Sequence, residues 1–342
     1  MRTSLPIAVV AGLALSAALT GCSTSGTSAP KTTTNVDTYL AGAHCFDNAI
    51  DASGNIWVAN GGNGTPGTAP GDSNITKLSP SGAVIGTYVA GSFPIGMAID
   101  KTGDVWVENY GNRTPGTAPG DSNVTKLSPS GVILGTYVAG SSPGGIAIDA
   151  SGNVWVANKG DGTQGTGLMS GNVTKLSPSG ARLGTYAAGS HPEGVAIDPH
   201  GNVWVVNKGN GTPGTAVGDS NVTELSSSGS HIGTYVAGSL PEIVAVDSAG
   251  NVWMTNGYGQ GTSSTRDSVM ELSPSGTLVS THVTGSQPYG LAIDRSGNVW
   301  VTNYGNGTSG TGFSNSNVQR YPHAAKGPQY FPYTGPQWPG AE

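Results

Sequence analysis

Charge is scarce in this chain. Asp, Glu, Lys and Arg make up only 10% of its 342 residues, against roughly 25% in ordinary soluble domains. The 14 Lys and Arg are scattered singly and the net charge is −6, so no basic patch exists to neutralise phosphates. Nucleic acid is thereby excluded as a partner. Cysteine occurs twice, at Cys22 and Cys45, which rules out a disulfide framework. The longest apolar run, Ile7 to Leu19, is about half of what a membrane-spanning helix needs. Gly (56) and Pro (22) are abundant instead. Disorder would normally come with few aromatics and high net charge. Here 7 Trp and 12 Tyr stand at regular places, which indicates a folded, turn-rich, all-β chain.

Residues 1–21 have the form of a secretion signal, with Arg2 ahead of the apolar run. The run closes on Leu19-Thr20-Gly21-Cys22, which resembles the lipobox of bacterial lipoproteins. That resemblance implies that Cys22 is acylated and becomes the mature N-terminus. The protein is then expected in the bacterial cell envelope, held to the membrane by lipid and facing the periplasm or the exterior. Each buried methylene of an acyl chain contributes about 0.8 kcal/mol. Residues 22–36 (from Cys22, then STSGTSAPKTTTNV) have no apolar period and read as a flexible tether. With Cys22 consumed by lipid, Cys45 is read as a small packed residue rather than a reactive thiol.

Tryptophan counts the repeats. Trp57, Trp106, Trp155, Trp204 and Trp253 follow one another at 49 residues, and Trp300 follows at 47. A period in this range signals a solenoid, propeller or array. One period, such as that around GIAIDASGNVWVAN (Gly145–Asn158), holds four strand candidates separated by turn chemistry, as four-stranded propeller blades require. Ile146–Ile148 and Val154–Ala157 are apolar on both faces, and Asp149 and Gly152-Asn153 make the turn between them. Asn172–Leu176 and Gly184–Ala187 supply the third and outer strands. Each buried Trp removes about 150–250 Å² from water, so the set is expected to form the packing between blades.

The fold class is therefore all-β: a six-bladed β-propeller of four-stranded antiparallel blades over residues 37–321, with a Pro- and aromatic-rich tail at 322–342. First strands are expected to enter at Asn48, Met97, Ile146, Val195, Val244 and Leu291. The sixth unit lacks an outer strand after Asn317–Tyr321, whereas Thr38-Tyr39-Leu40-Ala41-Gly42 matches Thr87-Tyr88-Val89-Ala90-Gly91. The N-terminal strand is thus expected to close the ring and leave no open edge, which suits a monomer. Tyr330–Gly335 is a rival for that slot, weakened by Pro332. Deleting Asp37–Gly42 should then collapse cooperative unfolding, and deleting Lys326–Glu342 should barely matter.

Antiparallel topology puts the tight Asp-x-Ser-Gly-Asn and Ser-Pro-Ser-Gly turns on one face. The long Gly-rich loops and the Pro-containing crossovers share the other face, where a site should be sought. Asp72, Asp121, Asp161 and Asp267 recur in the long loops, but no Asp-x-Asp-x-Asp-Gly calcium spacing appears, and they read as turn caps. Asn60, Asn109, Asn158, Asn207, Asn256 and Asn303 end the second strands and are expected to bond the long loops. Positions that differ between blades are more informative, because the scaffold does not dictate them. At the crossovers these include His44, Asp47, Asn48, His191, Glu193, Glu242 and Tyr289, expected to ring the mouth of the central channel as a tentative ligand site.

The unit Pro-x-Gly-Ile-Ala-Ile-Asp-x-x-Gly-Asn-Val-Trp-Val resembles NHL-repeat propellers, and its Trp and following Thr/Ala-Asn bring it closest to the streptogramin lyase-like branch. The resemblance spans Thr38–Tyr321 and implies the propeller fold. The lyases carry Glu-Pro-His at the last crossover and a Glu at the end of the next strand. Here the matching residues are Gln287, Pro288, Tyr289 and Asn303, so lyase chemistry is not expected and no catalytic residue is assigned. The leading reading is a binding or interaction module whose partner is an envelope protein, a glycan or a small molecule. A metal-dependent lyase or lactonase-like hydrolase is the alternative, with a divalent metal as its cofactor although no motif demands one. A mainly structural envelope component is a third reading.

Overall fold

The computed structural model describes residues 41–69, 71–162, 164–167, 169–257, 267–304 and 317–329. The expected signal, Cys22, the expected tether, residues 37–40 and Tyr330–Gly335 lie outside the described residues. Among those described, 23 strands assemble into five sheets of four strands and one of three, each in sequential antiparallel order. The third blade runs Pro143–Ile148, Val154–Asn158, Asn172–Leu176 and Arg182–Ala187. The molecule is a six-bladed β-propeller. In the described residues no helix is long and apolar enough to cross a membrane.

First strands begin earlier than the apolar pattern indicates, at Cys45, Pro94, Pro143, Pro192, Pro241 and Pro288. Proline is tolerated at the first residue of a strand, where no ladder donor is needed. Pro143 stands opposite Asn158, and an irregularity in register follows at once. The residue before each crossover proline takes a positive φ, for example Ser142 at 51° and Leu240 at 47°.

Why these blades stack is visible at each Trp. Trp57, Trp106, Trp155, Trp204 and Trp253 are fully buried. Trp57 packs with Met97, Val105, Val107 and Leu127 of the next blade, as expected of inter-blade packing. Its indole Nε1 donates to Asp51 Oδ2 at 3.1 Å, so the Asp that makes the turn also satisfies the buried ring. Burial alone would raise the Asp51 carboxyl, but bonds from Asn55, Trp57 and Lys77 outweigh it and hold the group below the usual carboxylate range. Lys77 Nζ lies 3.2 Å from Asp51, 4.4 Å over the Trp57 ring, and donates to the Pro129 carbonyl of the next blade at 2.9 Å. Lys126 and Lys175 repeat this staple, whereas Glu224 and Glu271 stand in its place in blades four and five.

Gly42 and Ala41 occupy the closing crossover. A Cβ on Gly42 would collide with Asn60, as one on Gly91 would with Asn109. Ala41 accepts from Thr76 Oγ1 as Ala90 does from Thr125. The chain therefore enters blade one along the path that the crossover into the next blade takes elsewhere. The tail is docked at the other face: Ser248 N donates to Pro328 O at 2.7 Å, Lys326 N to Asp247 Oδ2 at 2.9 Å, and Ile293 N to Gln329 Oε1 at 3.1 Å.

The strand-ending asparagines do not hold the long loops as expected. Asn60 Nδ2 donates to Asn74 Oδ1 at 2.8 Å and Thr76 Oγ1 at 3.0 Å on the third strand, and the same pair of bonds recurs from Asn158 and Asn207. The amide is opposite the start of the third strand in register, so the sheet itself supplies the nearest partners. The long loops are held by their own residues. Ser122 Oγ donates to Tyr110 O at 2.5 Å. Asp72 accepts from Ala69 N at 3.0 Å and Asp219 from Ala216 N at 3.0 Å, which makes these acids caps of turns inside the loops.

Candidate functional site

Around the central axis, first strands present alternate side chains to the channel, and the end of each second strand lies beside them. Four of the expected residues meet there. Glu193 and Glu242 follow the crossover prolines of blades four and five, Tyr289 follows that of blade six, and Asp47 lies in the first strand of blade one. The second-strand ends add three residues that the crossover comparison does not pick out: Glu108, Lys159 and Lys208. They flank the invariant-looking Asn of each repeat. Comparing Ala59, Glu108, Ala157, Val206, Thr255 and Thr302, or Gly61, Tyr110, Lys159, Lys208, Gly257 and Tyr304, would have revealed them.

These groups form a chain of alternating charge over blades three to five. Lys159 Nζ lies 2.7 Å from Glu193 Oε2, and Lys208 Nζ lies 3.7 Å from Glu193 Oε1 and 2.6 Å from Glu242 Oε1. Gly144 makes room for it, since a Cβ there would come within 2.6 Å of Lys159 Cε. Burial works against the Lys159 charge, but Glu193 overrides it and raises the ammonium above its ordinary value. Burial raises Glu242, while Lys208 pulls it back.

The opposite side of the channel is different. Asp47 Oδ2 accepts from Met97 N at 2.9 Å, across the seam between blades one and two. Burial pushes its carboxyl up to about 7 against the pull of the Met97 and Asn48 amides. Glu108 is fully buried, and neither carboxylate oxygen has a hydrogen-bond partner. Burial raises it well above the carboxylate range; Asp47 adds to the shift, Lys159 opposes it, Glu193 adds again, and the nearby Gly145 amide lowers it slightly. Gly96 stands opposite Glu108 in the sheet and has no side chain to cover it. Tyr289 is pushed up to about 12 by burial and by Glu242 and Glu193.

His44, His191 and Asn48 are not part of this ring. His44 and His191 sit at the positive-φ residue before the crossover and are exposed toward the long loops. His44 Nδ1 bonds Gly62 O at 2.9 Å and His191 Nδ1 lies 3.2 Å from Ser190 Oγ. The left-handed backbone turns these side chains away from the strand face that the following residues present to the channel. Asn48 shares the register position of Met97, Val195, Val244 and Leu291, which pack between blades. Cys45 is buried, its Sγ 3.2 Å from Asn60 Oδ1, as a packed residue should be. Among the described residues no three His, Cys, Asp or Glu side chains converge to hold a metal ion.

No protein-family model and no curated protein sequence matches the chain. Solved structures do. A streptogramin B lyase aligns with TM-score 0.59 and 15% identity over 83% of this chain and 84% of its own. A catalytically inactive form of virginiamycin B lyase from Staphylococcus aureus, with Quinupristin, aligns with TM-score 0.59 and 13% identity over 86% and 88%. The fold is theirs. A protein of unknown function from Bacteroides caccae follows at TM-score 0.51 and 13% identity, over 80% and 93%. At such identities the likeness is one of fold, and activity must be argued from the site.

Proposed function

We propose that this propeller is a non-enzymatic binding module of the bacterial cell envelope, lipid-anchored through Cys22, with its ligand site at the channel mouth. One observation carries the reading. Charged side chains fill enclosed positions that sister blades fill with Ala59, Ala157, Val206 or Ile95, and those blades form equally well. Desolvating charges costs several kcal/mol per ion and is a poor way to stabilise a fold, so the ring is better explained by what it contacts than by what it holds up. The lyase-like route has less support. Asn303 is buried and bonded to Asn317 at 2.7 Å and Gln319 at 2.9 Å, and Tyr289 stands where the resemblance would require His.

A small-molecule screen by thermal shift tests the reading, with wild type set against a Lys159→Met/Glu193→Gln variant. Compounds that stabilise wild type and not the variant are expected. A screen whose hits act equally on both would move the site elsewhere. One feature favours a catalytic alternative: Asp47, raised to about 7, is tuned as a general base would be. Metal analysis with melting in the presence and absence of chelator separates a metal-dependent lyase or hydrolase from the binding module. No bound metal and no shift removes that alternative.

A further inference from the structure

The mouth carries four carboxyl groups and two lysines, and the pairing is uneven. Glu193 and Glu242 take both lysines, at 2.7 Å and 2.6 Å. Asp47 and Glu108 have no cation at ion-pair distance: Asp47 is held only by the backbone amides of Met97 and Asn48, and fully buried Glu108 has no well-formed hydrogen bond, with only the Gly145 amide close enough to favour its charge as a donor. Native structures seldom leave such atoms unpaired, because each forfeits about 1–3 kcal/mol of solvation. The two groups lie on neighbouring blades and interact electrostatically with each other and with Lys159. Tyr289, half-buried on the channel wall, adds a phenol oxygen to the acceptors on that side.

We propose that the channel mouth recognises an organic ligand through a primary ammonium group, which pairs with Asp47 while the buried Glu108 adds its charge from behind. The inference rests on the channel-mouth reading above and names the chemistry of its ligand. An ammonium group brings three donors and one compact charge, matching the acceptor capacity of Asp47 and the Tyr289 phenol beside the charge of Glu108. A bare metal ion suits the site less well, since among the described residues no three acidic, His or Cys side chains converge. A carboxylate ligand would meet lysines already engaged by Glu193 and Glu242. Gly96 matters here because any larger residue would overlap Glu108 Oε2. In both acids burial favours the protonated form, so the arriving ammonium displaces protons, and binding strengthens as pH rises from 6 to 8.

Ligand-observed NMR with n-butylammonium, butan-1-ol and butyrate as separate probes tests this on the purified protein. Saturable binding of butylammonium alone is expected, at least tenfold weaker in Asp47→Asn/Glu108→Gln, with that variant melting as cooperatively as wild type. Glu108→Gln alone, which keeps shape and burial, serves if the double variant fails to fold, and should also weaken the amine. Equal binding of butylammonium and butan-1-ol, or unchanged amine binding in the variant, overturns the ammonium assignment. If butyrate binds at the mouth and the amine does not, the assignment falls while the mouth remains a binding site. If the amine fails and the thermal-shift screen also finds no compound sensitive to Lys159→Met/Glu193→Gln, both readings fall.

Discussion

Asp47 and Lys77 show how differently a buried charge behaves with and without a partner. Asp47 has a folded-state pKa near 7, so between about pH 4 and pH 7 the native state keeps a proton that the unfolded chain has released. Its contribution is fully present below the ordinary carboxylate value and is lost as pH rises through about 7. Asp47→Asn should therefore lose less stability than wild type between pH 5 and pH 8, as read by urea unfolding at both. Asp51 behaves oppositely: its pKa is lowered, and its contribution is present above about pH 4 and fades as pH falls below that. Lys77→Met removes the partner of Asp51 and the staple to Pro129; a loss of about 3 kcal/mol is expected in the same assay, as for other broken buried pairs. Glu271 occupies the equivalent place with one oxygen unpaired and the carboxyl raised by burial. Glu271→Gln should cost nothing or stabilise slightly at pH 8.

Within a blade, the tight turns depend on glycine in a way that links neighbours. Gly180 has φ +86° and lies so close under Tyr137 of the preceding blade that a Cβ would overlap the ring. Tyr137 in turn packs on Trp106 with centroids 5.6 Å apart. Gly180→Ala should cost about 2 kcal/mol or more from backbone strain and the displaced ring, a clear drop in melting temperature. The tail makes more contacts with the body than its sequence indicates. Three hydrogen bonds tie Lys326, Pro328 and Gln329 to blades five and six, and Ala325 is buried. Deleting Lys326–Glu342, which removes these three bonds, should lower the midpoint by the equivalent of about 3 kcal/mol, at roughly 1 kcal/mol per bond, rather than barely at all. An unchanged midpoint would mean that the docked tail contributes nothing.

For the whole molecule, the blades were legible because Trp, the Asp-Gly-Asn turn and the outer Tyr must recur for each blade to pack on the next. The blade boundaries were less so, since a proline that opens a strand reads in sequence as a loop. The destinations of Asn60 and its counterparts were hidden because an amide names no partner; register decides it. At the site, Asp47, Glu193, Glu242 and Tyr289 were visible as departures from the repeat. His44 and His191 were equally visible but turn away on a left-handed backbone. Glu108, Lys159 and Lys208 were masked by the repeated Asn they flank. Scaffold positions thus repeat and channel-facing positions diverge, and the division runs through adjacent residues of the same strands. The most direct measurement is a crystal structure of the protein soaked with a fragment mixture containing amines, acids and alcohols. Density for a fragment between Asp47, Glu193 and Tyr289 at the channel mouth is expected. Fragments confined to the long loops or the outer strands, with the mouth of every soaked crystal bare, would contradict it.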